Sequence, residues 1–390
     1  IPANLRGFAL QIKSHDNGYL SRLLAHRREP LGTLRLMAIL IIMQRETQYS
    51  KDDLDDGLGP ESPFDPVDQN DLWFLPAPDD PDLSNLAPLP RADGRQLFDP
   101  AEWGRAQADL VAELATLCLN FGAFEERLAG MGPGTRQRLA IREAAEVSWW
   151  AGHRIGAERL TLWVGSRTGG GEDNLALLQA GWAVRRLMAG QGPAKGGWAD
   201  GIAGVLGHAP TDATEELAEV MDCVHYLHPV TQSAILFHAW RIAGPGAARD
   251  TEAAVMAACH GGTMGRRPGQ FLPLALAGLT TLRAAGSAHA RLSAWISGAD
   301  AAVLSALMQL DRLTAWHGAA RTAIADLSGR TPHLLIDLLA EWPMVSAPMA
   351  EARCAASRAA VQRNLQTLTE RGLIREVTGQ GRYRLWAARA

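Results

Sequence analysis

The sequence predicts a mainly helical protein that closes with a small domain of mixed helices and strands. From Asp99 onward, apolar residues recur every three or four positions, which is the spacing of amphipathic helices. Alternating strand patterns are nearly absent before residue 343, after which helices give way to a two-stranded hairpin. We therefore expect a multi-helix N-terminal and central region followed by a C-terminal α+β domain.

Composition is that of an ordinary globular protein, but the charge is unevenly distributed. Apolar residues make up 47% and charged residues 21% of the 390 residues, which is enough for a sizeable buried core. The net charge is −4, yet residues 328–390 hold nine Arg and five acidic residues, a net charge of +4. A basic end on an acidic body is typical of a nucleic-acid-binding module carried by a body that does not bind.

Cysteine spacing and hydropathy favour a cytoplasmic protein. The four cysteines lie far apart and form no CxxC pair, so we expect reduced and mostly buried thiols. The longest apolar run, residues 36–43, is too short to span a bilayer. Charged residues flank it and no small-residue cleavage site follows, so neither a membrane segment nor a signal peptide is expected.

The first hundred residues divide into two segments. Residues 1–50 contain the helical-looking stretch LGTLRLMAILIIMQRE, interpreted as an N-terminal helical segment that packs on the core, with a DNA-contacting arm as the alternative. Residues 51–98 are acidic and rich in proline, so they can neither sustain helices nor bury much surface. We interpret this second segment as an extended loop or linker.

Residues 99–327 are predicted to form an all-α body of eight to ten helices. One helix begins at the N-cap Asp99 and runs to Met131, and another runs from the glycines around residue 133 to Gly165. Further predicted starts are Asp173 or Asn174, and Thr211 or Asp212. GQGPAKGGWADGIAG is predicted to be a loop, LPLALAGLTTLRAAG a helix, and residues 286–329 a long helix leading directly into the C-terminal domain.

Residues 328–390 have the element order of a winged helix-turn-helix. Thr331 and Pro332 are placed to start a helix with a buried leucine stripe at 334, 335, 338 and 339, and PMVS is predicted to be a short strand. Ser346 is predicted to cap APMAEARC and Ser357 to cap RAAVQRNLQTLTER, whose Val361, Leu365 and Leu368 face inward. Gly372 ends that helix in the left-handed conformation. LIREVT and RYRLW are predicted strands joined by GQG.

The outward residues of the second helix predict a DNA-reading surface. In winged helices the N-terminal half of this helix enters the major groove, where Arg and Gln can make bidentate contacts with guanine and adenine. Arginines beside the wing tip would contact phosphates. The alternative is a helix-turn-helix used only for protein contact or dimerisation. The predicted DNA-binding residues are Ser357, Arg358, Gln362, Arg363, Gln366, Thr378, Gln380, Arg382 and Arg384.

The stretch SAPMAEARCAASRAAVQRNLQTLTERGLIREVTGQGRYRLW, with LSGRTP upstream and FLPLALAG at residues 271–278, resembles a family of proteobacterial proteins, often plasmid-borne. The resemblance implies a helical body with a C-terminal winged helix in a bacterial cytoplasmic protein, and it supplies no activity. More distantly, the layout is similar to Fic-type adenylyltransferases. Ala151 stands where their SxxEG motif has glutamate, and the sequence after His228-Pro229 lacks their acidic residue, GNG turn and arginine.

Other groups of residues are weaker indications of a metal, phosphate, nucleophile or ligand site. Asp222, His225 and His228 recur at a spacing of three, so two of them could share a metal. However, Pro229 follows and no HExxH is present, so we expect ordinary core or surface histidines. GSRTGGGED lacks the lysine of a P-loop, and no GxSxG elbow occurs. The tryptophans at positions 103, 149, 150, 163, 182 and 240 are interpreted mostly as core aromatics, with a ligand pocket between helices as the alternative.

These observations together predict a double-stranded-DNA-binding transcriptional regulator. The helical body is expected to dimerise or to bind a small-molecule effector, and no catalytic residue, metal or cofactor is expected. The alternatives are a degenerate Fic-like enzyme and a plasmid-maintenance or assembly protein that uses the body for protein contacts.

Overall fold

The computed structural model describes residues 98–166, 173–207, 209–244, 246, 248–379 and 383–390. The predictions for the N-terminal helical segment and for nearly all of the acidic linker lie outside these residues. Within them the protein is mainly α-helical, with one small sheet near the C-terminus, as the sequence predicts. None of the described helices is both long and apolar enough to cross a membrane.

The described residues contain thirteen α-helices and three strands. In chain order they are α1 (Pro100–Asp109), α2 (Val111–Ala129), α3 (Pro133–Trp150), α4 (Ala157–Ser166), α5 (Asn174–Ala189), α6 (Trp198–Leu206), α7 (Asp212–Cys223), α8 (Pro229–Ala243), α9 (Arg249–Gly261), α10 (Ala288–Ala323), α11 (Thr331–Glu341), β1 (Val345–Ser346), α12 (Ala347–Cys354), α13 (Arg358–Glu370), β2 (Ile374–Glu376) and β3 (Leu385–Ala388).

The three strands form one antiparallel sheet with the order β1-β3-β2. Val345 pairs with Trp386, and Ile374 pairs with Ala388. The predicted strands are confirmed in order but not in bounds, because the last strand begins at Leu385, near the end of RYRLW, and continues to Ala388. That register buries Trp386 beneath the sheet, and a shift of one residue would move this side chain to the other face.

Several predicted helix starts are confirmed by their capping contacts. The Asp99 carboxylate accepts a hydrogen bond from the backbone N–H of Ala101 at 2.9 Å. At the start of α7, the Thr214 hydroxyl accepts from the backbone N–H of Thr211, the N-cap residue, at 2.7 Å. Asp173 is the N-cap residue of α5, but its side chain forms an ion pair with Arg159 instead of a capping bond. Such local contacts satisfy amides that a helix leaves unpaired.

Two predicted long helices are each broken in the structure. The backbone leaves the helical region at Leu110, whose side chain is buried in the core, so tertiary packing overrides the continuous periodicity. The helix that starts at Pro133 ends at Trp150 rather than continuing to Gly165. Gly152 has a φ of +90°, a conformation that glycine adopts readily and that turns the chain before α4 begins.

The glycine-rich stretch predicted to be a loop contains helix α6. Trp198, Ile202 and Val205 are buried and recur at helical spacing. Their burial stabilises the helix despite the low helix propensity of its glycines. The prediction of a loop was therefore wrong for residues 198–204, and the helix continues to Leu206.

The apolar stretch LPLALAGLTTLRAAG was predicted to be helical and is instead a buried irregular segment. Leu272, Leu274 and Ala275 are buried, and Gly278 has a φ of +119°. The carboxylate of Glu143 on α3 accepts hydrogen bonds from the backbone N–H groups of Leu274 (2.8 Å) and Ala275 (3.0 Å). A buried acceptor thus replaces the helical hydrogen bonds that these amides would otherwise require.

The described core divides into two clusters. The larger is built from α1 to α9, the irregular segment and the first part of α10. The smaller contains Ala320 and Ile324 at the end of α10 together with the interior of the helices and sheet that follow. The 36-residue helix α10 therefore supplies residues to both clusters.

Candidate nucleic-acid interface

Helices α12 and α13 form a helix-turn-helix whose ends are fixed by two serines. The Ser346 hydroxyl accepts a hydrogen bond from the backbone N–H of Met349 at 3.2 Å, and that of Ser357 accepts from Ala360 at 3.3 Å. Both predicted caps are confirmed. Ala355 ends α12 with a φ of +46°, a left-handed conformation that no sequence signal predicts for an alanine there.

The inner face of α13 fixes which of its side chains point outward. Val361, Leu365 and Leu368 are fully buried, as predicted, against α11 and the sheet residue Trp386. In α11, the predicted stripe is confirmed at positions 335, 338 and 339, while Leu334 is only half-buried. With its apolar face held, α13 presents the opposite face to solvent.

That outward face carries two arginines that are free to contact a ligand. Arg358 and Arg363 are exposed, and neither has an ion-pair or side-chain hydrogen-bond partner among the described residues. Gln362 lies between them and is half-buried. Gln366 is exposed and donates a hydrogen bond to Glu370 at 2.9 Å.

The wing residues are more constrained than the helix residues. Arg384 forms an ion pair with Glu376 and lies over the Trp386 ring, 5.1 Å from its centre. Its hydrogen bond to Glu376 raises the pKa of Arg384 above the ordinary value, so this cation is already neutralised in part. Thr378 accepts a hydrogen bond from the backbone N–H of Leu385 at 3.3 Å and thereby closes the hairpin.

Five of the nine predicted site residues line two adjoining hollows. Arg358, Gln362 and Arg384 line one groove, and Gln362, Arg363, Gln366 and Arg384 line an adjoining hollow of about 570 Å³. Ser357 and Thr378 line neither and have structural roles as a helix cap and a hairpin contact. Gln380 and Arg382 lie outside the described residues.

Tyr383 lines the groove but was not predicted as a site residue. This side chain is 88% exposed and its backbone has a φ of +58°, both unusual for an aromatic residue. It lies beside Arg384 on the groove wall. The only sequence signal was its place between two arginines next to a predicted glycine turn.

The winged helix is joined to the body by reciprocal capping between α3 and α11. Arg138 on α3 donates to the backbone carbonyls of Leu339 (3.1 Å) and Trp342 (2.7 Å) at the end of α11. In return, Glu341 accepts a hydrogen bond from the backbone N–H of Gly134 at 3.3 Å, at the start of α3. A side chain from each helix thus forms hydrogen bonds with backbone groups that are left unpaired at the end of the other helix.

Close approach at this junction requires glycine. A Cβ at Gly134 would lie 2.7 Å from the Trp342 ring, and one at Gly132 would lie 2.4 Å from the Glu341 carboxylate. Burial, followed by the nearby Arg142 charge, lowers the pKa of Arg138 to about 10, so the guanidinium remains charged at neutral pH. We conclude that the junction is a specific, charge-assisted contact.

Two further ion pairs hold the winged helix. Arg371 at the end of α13 makes a bidentate contact with Asp326, with N–O distances of 2.6 and 2.7 Å. Arg375 on β2 forms an ion pair with Glu158 on α4. These arginines contribute to the positive charge of the C-terminal segment, but their ion pairs give them a structural role.

The body residues that suggested other chemistry are separated in the structure. His225 contacts the backbone carbonyl of Asp222, whereas His228 caps α8 and accepts from the backbone N–H of Val230 at 3.2 Å. In the part of the chain that the structure describes, no group of three or more His, Cys, Asp or Glu residues could hold a metal ion. Ser148, the first residue of the stretch similar to the Fic SxxEG motif, is buried inside α3.

The tryptophans of the body are mostly core residues. Trp103, Trp163 and Trp240 are buried, Trp150 and Trp182 are partly buried, and Trp149 is exposed. Five of the six tryptophans interpreted as core aromatics are therefore buried or partly buried, and Trp149, near the end of α3, is the exception.

Comparison with known proteins agrees with this geometry at the C-terminus. Residues 332–388 match a family model described as an HTH DNA-binding domain. No curated protein matches the chain significantly. The matched residues run from the start of α11 to the end of β3 and so include the whole candidate interface. The chain therefore carries a C-terminal helix-turn-helix DNA-binding domain.

Proposed function

We propose that the protein is a sequence-specific transcriptional regulator that reads double-stranded DNA with the outward face of α13. The supporting observation is the pair of exposed arginines, Arg358 and Arg363, which have no partner among the described residues. A guanidinium without a protein partner can make a bidentate contact with guanine in the major groove. Paired arginines of the same domain, such as Arg371, are less suited to this role.

Genome-wide footprinting of the tagged protein in its native cells tests this proposal. The wild type is expected to occupy discrete sites upstream of genes, and the double variant Arg358→Ala/Arg363→Ala is expected to lose them. Because both arginines are exposed, the variant should remain folded, which circular dichroism would check. Uniform occupancy by the wild type, or unchanged sites in the double variant, would reject the proposal.

The regulator is further proposed to act as a homodimer in the cytoplasm. One winged helix makes too few base contacts for high specificity, and pairing two on a palindromic site is the usual solution. The proposed surface for the second copy is on α2 and α10, and the exposed side chains of Leu119, Leu304 and Met308 support it. The hydrogen bond of Asn120 to Asp300 (2.7 Å) places these side chains along the same helix pair.

A further inference from the structure

The groove beside α13 lies between the winged helix and the body. Gln137 on α3 and Thr161 and Gly165 on α4 line one side, while Arg358 and Gln362 line the other. Its volume of about 810 Å³ falls in the range of roughly 300–1,000 Å³ that is usual for small-molecule sites. A molecule in this groove would touch both the body and the DNA-reading helix.

Four apolar side chains line part of the groove. Trp342, Pro343, Met344 and Met349 line it and are only partly buried. Contiguous apolar surface in a concave site marks a place where an apolar group is bound. The two methionines are unbranched and flexible, so they can adapt to the shape of a bound molecule.

Two residues of opposite charge line the same groove without forming an ion pair with each other. Arg358 and Glu351 both line it, and neither has an ion-pair or side-chain hydrogen-bond partner among the described residues. Arg384, the third charged lining residue, is already paired with Glu376. The free groups thus comprise one donor for a carboxylate and one acceptor for an ammonium.

We infer that this groove binds a zwitterion with an apolar side group, that is, an apolar α-amino acid. Arg358 would bind the carboxylate of the amino acid, and Glu351 would bind its ammonium group. The apolar lining residues would contact its side chain. Since Arg358 is also proposed to contact DNA, the amino acid and DNA would compete for it. This regulatory consequence rests on the proposed function, whereas binding of the amino acid does not.

Calorimetry on the full chain without DNA tests the site with three matched probes: L-phenylalanine, L-phenylalaninamide and 3-phenylpropionate. Phenylalanine is expected to bind about tenfold or more tightly than either analogue, because each analogue lacks one charge-assisted contact. Arg358→Ala should abolish the preference over the amide. Glu351→Gln should abolish the preference over phenylpropionate.

Two further variants separate this site from general charge effects. Arg363→Ala removes an exposed arginine of the same helix that does not line the groove, so it should bind phenylalanine like the wild type. Gly165→Phe should block binding from the body side, since a Cβ there meets no atom within 4 Å and the ring can enter the groove. Absent binding, equal binding of the three probes, or equal loss in Arg363→Ala and Arg358→Ala would overturn the inference.

The regulatory step is measured separately, as the effect of phenylalanine on the affinity of the full chain for a DNA site found by footprinting. Competition predicts that phenylalanine weakens DNA binding and that DNA weakens phenylalanine binding by the same factor. Phenylalanine binding without any DNA binding would reject the proposed function and leave the groove assignment standing. DNA binding without phenylalanine binding would reject the groove assignment and leave the proposed function standing.

Discussion

Glu143 shows how one side chain can hold a segment that has no secondary structure of its own. It is fully buried, and one carboxylate oxygen accepts the backbone N–H groups of Leu274 and Ala275. Burial raises the pKa of Glu143 to about 7, although the hydrogen bonds from the backbone act in the opposite direction. The native protein therefore binds a proton here that the unfolded chain releases at lower pH.

This difference predicts a pH dependence of stability that Glu143→Gln removes. Between the unfolded pKa of 4.5 and the folded pKa of about 7, the folded state holds one more proton, so stability falls as pH rises and then levels off. The loss should total about 3 kcal/mol. Urea unfolding at several pH values measures it as the stability gap between variant and wild type. A gap that stays constant with pH would contradict the assignment.

At the scale of elements, the junction between α3 and α11 determines where the DNA-reading helix is held. Arg138 and Glu341 each cap the helix that the other comes from. Such contacts are directional, so they fix orientation as well as stability. Arg138 lies in the body and Glu341 in the winged helix, so the junction joins residues that are far apart in the sequence.

Replacing Arg138 with Met should destabilise the protein by about 2–4 kcal/mol, because buried carbonyls at the end of α11 lose their charged donor. Arg142→Met is the matched control: it lies one turn further along α3 and is exposed, so its effect should stay within about 0.5 kcal/mol. Denaturant midpoints of the two variants supply the comparison. Equal effects would show that the junction adds nothing specific.

Elements with local signals were predictable from the sequence. Ser346 and Ser357 identified the starts of α12 and α13 correctly because a cap depends on residues only three positions away. Gly372, with a φ of +71°, ends α13 as predicted. The inward stripe of α13 followed from helical periodicity alone.

Elements decided by distant residues were not predictable. The stretch after Phe271 has helical composition, but Glu143, more than 120 residues earlier in the chain, supplies its hydrogen bonds. Helix α6 forms in a glycine-rich stretch because Trp198 is buried against His260, with ring centres 4.8 Å apart. The groove beside α13 also depends on α4. No local sequence pattern predicts that α4 lies next to the winged helix.

At the scale of the whole molecule, α10 connects the body core to the winged-helix core. Its outer side also carries Leu304 and Met308, exposed one turn apart. A second copy packed on this side would place two winged helices in one assembly. Two-fold symmetry of that kind matches a palindromic DNA site.

The proposed dimer surface predicts that Leu304→Glu/Met308→Glu gives a monomer. Two carboxylates would be placed in the apolar contact between copies, where their desolvation is unfavourable. Leu175→Glu serves as the control, since Leu175 on α5 is also exposed and lies outside the patch. Sedimentation of the three proteins gives the outcome. A wild-type monomer, or dissociation in the control alone, would exclude this surface.

Selection of bound duplexes from a random DNA pool tests most directly whether the outward face of α13 reads base sequence. The affinity of each variant for the selected duplexes is then measured. The wild type should select a defined motif, and Arg358→Ala and Arg363→Ala should each lose about 1–3 kcal/mol of binding free energy and tolerate other bases at one position. Arg389→Ala, which removes an exposed arginine after β3 and outside both hollows, should keep the motif. An unchanged motif and affinity in the double variant Arg358→Ala/Arg363→Ala would contradict the claim.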